Sequence, residues 1–166
     1  MFNHLIKCDN SQYEQKQEEF RMSTKEIQSQ ITENMRRWQA IENASVKSTG
    51  KIIEETENPI VRQIMEIIQR DSELHHKIQQ LIIDSLESMT ISLTPEELGE
   101  VWELIEKHIE LEKKTVELAL ESLEALKGRK MVVQEYLLDY LRIDEEKHNQ
   151  VLETLATIKK GMYPYG

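Results

Sequence analysis

Glu42, Asp71, His75, His108, Glu112, Glu145 and His148 are carboxylates and imidazoles at positions that a helix would aim inward. The clearest group is Asp144-Glu145-Glu146-Lys147-His148. With each helical residue turned about 100° from the last, Glu145 and His148 share a side with Leu137, Leu141, Leu152 and Leu155, and Asp144 stands at its edge. Glu42 lies one turn from Trp38 and Val46, and His108 and Thr115 flank Glu112. Asp71 and His75 lie among Ile64, Ile68, Ile78 and Ile82. Burying an unpaired charge is costly, so something must compensate these groups. A metal ion shared by carboxylates of several helices is one compensation, and a closed hydrogen-bond network is the other. Carboxylate oxygens with imidazole nitrogens suit iron, manganese or zinc, and bridging carboxylates can join two ions.

Four helices would position these side chains. Ser23 with Glu26 forms a capping box ahead of the first, whose stripe is Ile31, Met35, Trp38, Val46, Thr49 and Ile53. Asn58-Pro59 ends it and starts the second, with Asn58 as cap and Pro59 in the first turn. Ile60, Ile64, Ile67, Ile68, Ile78 and Ile82 line the second, which fades from Ser85 to Leu93. Thr94-Pro95-Glu96-Glu97 opens the third, with Val101, Ile105, Val116, Ala119, Leu123 and Leu126 inward, and Gly128 ends it. The fourth runs from about Lys130 to Lys160 and should stop at Gly161. The expected fold is all-α: a four-helix bundle of two helical hairpins over residues 23–161, with tails at 1–22 and 162–166. A weak repeat supports two hairpins. An offset of 73 carries Asp71, Glu73 and His75 onto Asp144, Glu146 and His148, and an offset of 70 carries Glu42, Ser45 and Val46 onto Glu112, Thr115 and Val116.

Composition narrows the function. The 166 residues suit one domain with a real core. A net charge of −10 disfavours nucleic acid and anionic membranes as partners, and no apolar run could span a bilayer. Cys8 is the only cysteine, which excludes a disulfide framework and a cysteine metal knuckle. The polar first twenty residues do not read as a signal peptide, so the expected location is cytoplasmic.

With its four helices and inward Glu42, Glu112 and Glu145-x-x-His148, the chain resembles the ferritin-like di-iron carboxylate superfamily, and its rubrerythrin-like members in particular. That family carries one Glu on helices 1 and 3 and Glu-x-x-His on helices 2 and 4. The resemblance covers about residues 23–160; with no Cys-x-x-Cys, it is to a rubrerythrin core without a rubredoxin domain. It implies iron or manganese as cofactor, as two ions or one, and oxidation of ferrous iron or reduction of peroxide as the chemistry. The rival is a non-enzymatic bundle for assembly or partner binding, with a polar core network and no metal.

The second helix departs from that pattern. Glu73-x-x-His76 has the family spacing, but periodicity turns Glu73 away from the isoleucines; His75 lies on their side, with Ser72 three residues before it. The expectation is therefore a buried His75 and an exposed His76. The link from Ser85 to Pro95 is barely long enough for an intrachain crossover, so either a helix unwinds early, or the bundle runs up-down-up-down, or the hairpins exchange between two chains; the expected assembly is a homodimer.

Overall fold

The computed structural model describes residues 22–162, so His4, Cys8, nearly all of the N-terminal tail and residues 163–166 lie outside the described part. Four helices and no strand are found among the described residues: α1 (Thr24–Glu55), α2 (Pro59–Glu87), α3 (Pro95–Leu126) and α4 (Val132–Met162). The fold class is the expected all-α one. The chain divides into two compact units, one hairpin of α1 and α2 and one of α3 and α4.

The helix starts follow from side chains that satisfy otherwise free backbone N–H groups. The Ser23 hydroxyl accepts from the Glu26 N–H at 3.2 Å, while the Glu26 carboxylate accepts from the Ser23 N–H at 2.7 Å. Asn58 Oδ1 accepts from the N–H groups of Ile60 and Val61 at 2.9 and 3.2 Å, with Pro59 behind it in the first turn. Thr94 and Glu97 repeat the reciprocal pattern of Ser23 and Glu26. Gly128, at φ 72°, takes the left-handed conformation that turns the chain after α3. Gly161 does not stop α4 as expected: it is helical, and the helix continues to Met162. A glycine ends a helix only where the chain adopts that left-handed turn, and Gly161 does not.

Inside each hairpin the side chains facing the neighbouring helix recur at about 3.5 residues, the spacing of a coiled-coil seam. In the first hairpin the buried members are Thr32, Glu42 and Thr49 on α1, with Ser72, Gln79 and Ile83 on α2. This seam is mostly polar, and polar contacts cross it. Ser72 Oγ donates to Ser45 Oγ at 2.9 Å, Gln69 Nε2 to the Val46 carbonyl at 3.1 Å, and Gln39 Nε2 to the His76 carbonyl at 3.3 Å. A Cβ on Gly50 would stand 3.3 Å from Gln69 Nε2, so glycine lets the Gln69 amide lie against α1. In the second hairpin Leu98, Glu112 and Ala119 of α3 are buried, while α4 contributes half-buried residues such as Leu138, Glu145, Leu152 and Ala156. Lys159 Nζ lies 4.4 Å from the centre of the Trp102 ring, a cation–π contact joining α3 to α4.

The seam of α2 lies one residue round from the isoleucine stripe. Ile68 and Ile78 are exposed, and the residues against α1 are Ser72, Gln79 and Ile83. The expected burial order of the adjacent histidines is therefore reversed. His76 lies on the seam and is half-buried, whereas the His75 side chain is 53% exposed. The α1–α2 approach uses the face carrying Ser72 opposite Ser45, and it leaves Ile68 and Ile78 beside it exposed.

Candidate metal centre

The second hairpin brings three predicted donors together. Glu112 projects from the middle of α3, and Glu145 and His148 project from α4 one turn apart. His148 Nδ1 lies 3.4 Å from Glu112 Oε2 and 3.4 Å from Glu145 Oε2. One ligand atom from each of the three residues can be chosen so that all lie within 4.8 Å of one another. Thr115 Oγ1 donates to Glu145 Oε2 at 3.1 Å, and His108 Nε2 stands 2.9 Å from Glu112 Oε1. Glu112 Oε2 is buried and has no hydrogen-bond partner.

Charge at this cluster is not neutral to its surroundings. The Glu145 carboxyl is held below its ordinary range, first by hydrogen bonding with the adjoining Glu112 carboxyl. Burial opposes that shift, and Thr115 and His148 reinforce it. Asp144 is also lowered: burial works against ionisation, and Lys147, His148 and Tyr140 outweigh it. Asp144 Oδ2 lies 3.9 Å from His148 Nε2, on the side of the ring away from the cluster. An apolar recess opens beside Glu145, lined also by Thr115, Leu118, Leu138 and Leu141.

Two of the three donor separations match those around a divalent cation. Donors bonded at about 2.1 Å to one ion lie roughly 3.0–3.5 Å apart at octahedral or tetrahedral angles, and the 3.4 Å separations around His148 Nδ1 fall in that range. Glu112 Oε2, buried and without a hydrogen bond, lies on the same side.

The first hairpin brings together Glu42 and His75, with His75 Nδ1 3.3 Å from Glu42 Oε1. Glu42 is buried, and its carboxyl lies below the usual range. Burial alone would raise it; interactions with Ser72, His75 and Trp38 overcome that effect. His75 is therefore the histidine of α2 that meets a carboxylate, as the isoleucine periodicity implies, even though it is the more exposed of the pair. Asp71 is half-buried beside Ser72, and His108, at 58% side-chain exposure, touches the cluster through Glu112. The supporting hydroxyls of Ser72 and Thr115 and the indole of Trp38 were not among the expected site residues. The repeat offset that pairs Ser45 with Thr115 was the available signal for the hydroxyls.

Compared with protein-family models, curated proteins and solved structures, the chain matches none. Among the described residues, no helix is long and apolar enough to cross a membrane.

Proposed function

We propose that the chain is a ferritin-like metal-binding protein in which Glu112, Glu145 and His148 hold iron or manganese. The observation that carries this reading is the buried, unpartnered Oε2 of Glu112 beside a second carboxylate and an imidazole at ligand spacing. Thr115 fixes the orientation of Glu145, and His108 occupies the other oxygen of Glu112, leaving Oε2 toward the ion. A bound iron or manganese would supply one-electron chemistry, of the kind used in ferrous iron oxidation or peroxide reduction. A surface recess lined by Leu118, Leu138 and Leu141 lies beside Glu145 and gives a small substrate access to it.

A metal-free polar network is the second reading, favoured by the contacts Glu145 already makes with Thr115 and His148. Elemental mass spectrometry of protein purified without chelators separates the two. The metal reading expects about one or more iron or manganese ions per chain, and a several-fold loss in Glu112→Ala. Equal metal content in the two proteins leaves only the network.

The same reading includes a homodimer. Each hairpin exposes large apolar side chains, among them Ile41 and Leu81 in the first and Leu104 and Leu118 in the second. Light scattering across micromolar concentrations should give twice the mass of the chain. A monomer throughout rejects the dimer.

A further inference from the structure

Two sets of residues correspond at fixed offsets. Trp38, Glu42 and Ser45 fall on His108, Glu112 and Thr115 at an offset of 70; Asp71, Ser72 and His75 fall on Asp144, Glu145 and His148 at an offset of 73. The contacts correspond as well. His75 Nδ1 approaches Glu42 at 3.3 Å, and His148 Nδ1 approaches Glu112 at 3.4 Å. The residue three before each histidine meets the hydroxyl of the facing helix, Ser72 on Ser45 at 2.9 Å and Glu145 on Thr115 at 3.1 Å. The residue four before each glutamate touches that glutamate, Trp38 on Glu42 and His108 on Glu112.

The two sets differ where it matters to a cation. The Trp38 indole N–H can only donate, and the Ser72 hydroxyl brings no negative charge where Glu145 brings a carboxylate. Ser72 is buried and lies 2.9 Å from Ser45 Oγ, and among the described residues no Glu42 oxygen is both fully buried and without a partner. In the second hairpin Glu112 Oε2 is buried without a hydrogen bond and faces His148 Nδ1 at 3.4 Å.

We infer that the hairpins are unequal copies of one cation-ligating set, and that Ser72, in the place of Glu145, withholds a second ion from the first hairpin. Glu42 and His75 are then two donors of a site that lacks its third. This inference rests on the metal reading above and adds the location of the ion and the residue that limits stoichiometry.

The test uses the full chain, stripped with chelator, reloaded with Mn(II), desalted and counted by elemental mass spectrometry, with helicity followed by circular dichroism. Wild type should retain about one Mn(II) per chain and Ser72→Glu about two, with the added ion lost in Ser72→Glu/Glu42→Gln. Glu145→Ser, which copies the first hairpin into the second, should keep its helicity and retain none. A wild type that retains no Mn(II) overturns the metal reading and this inference with it. A wild type with one ion and a folded Ser72→Glu that also has one overturns this inference alone. If Ser72→Glu loses its helicity, Glu145→Ser decides: an ion retained there overturns the assignment, and its loss from a folded protein supports it.

Discussion

Glu112→Gln should change sign with metal. In chelator, wild-type Glu112 keeps a buried oxygen without a partner, beside a second carboxyl. Leaving such a group unsatisfied costs about 1–3 kcal/mol. Glutamine keeps the shape, removes the charge and provides an amide N–H that Glu145 can accept. The substitution also weakens the 2.9 Å contact with His108, but His108 is more than half exposed, so that loss is about 0–1 kcal/mol. The net expectation is a gain of about 1 kcal/mol, or roughly 4 °C in Tm. With Mn(II) at a hundred times its dissociation constant, wild type gains about 2.7 kcal/mol, whereas the variant, with one ligand weakened, gains much less. Thermal unfolding followed by circular dichroism, in chelator and in Mn(II), should therefore show the two Tm values exchanging order. A variant that melts below wild type in both conditions by the same margin refutes the reasoning, because Glu112 would then be a satisfied structural group.

Two further outcomes are expected. Gln79 is buried with Oε1 unpartnered, and the offset of 73 places Leu152 at the corresponding position, so Gln79→Leu should raise stability by about 1–2 kcal/mol in urea titration; a lower midpoint would mean the amide is satisfied in solution. Glu26 is held below its ordinary 4.5 by the Ser23 N–H first and the Ser23 hydroxyl second, so its contribution to the α1 start is present above about pH 4.5 and is lost as pH falls through its lower folded value. Carboxyl NMR should show Glu26 titrating below 4.5, and a midpoint at or above 4.5 would show the capping box open.

The helix starts were legible because a few side chains with unambiguous chemistry mark them: Ser23 with Glu26, Asn58 with Pro59, Thr94 with Glu97. Gly161 misled because glycine permits a left-handed turn without imposing one. The hairpin seam was harder to read, since Thr32, Ser72 and Gln79 are polar and a search for apolar stripes passes over them. That search found the isoleucine face of α2 and so reversed the burial of His75 and His76. His75 nevertheless meets Glu42, because a side chain as long as histidine reaches it from the edge of the seam. The unpartnered oxygen of Glu112 was beyond any sequence pattern, being a property of distances.

The offsets differ by three, and the structure shows where those residues went. Helix α2 begins at Pro59 and α4 at Val132, in keeping with 73, while α3 ends one residue later than 70 would give and its connection, 127–131, is two residues longer than 56–58. The whole length change is absorbed at the hairpin tip, about 21 Å along the helix from Glu112. Tip and donors are thus separately editable. The chain can be lengthened, shortened or tagged around Gly128 without re-registering the polar groups in mid-helix, which makes that turn the natural place to attach a probe.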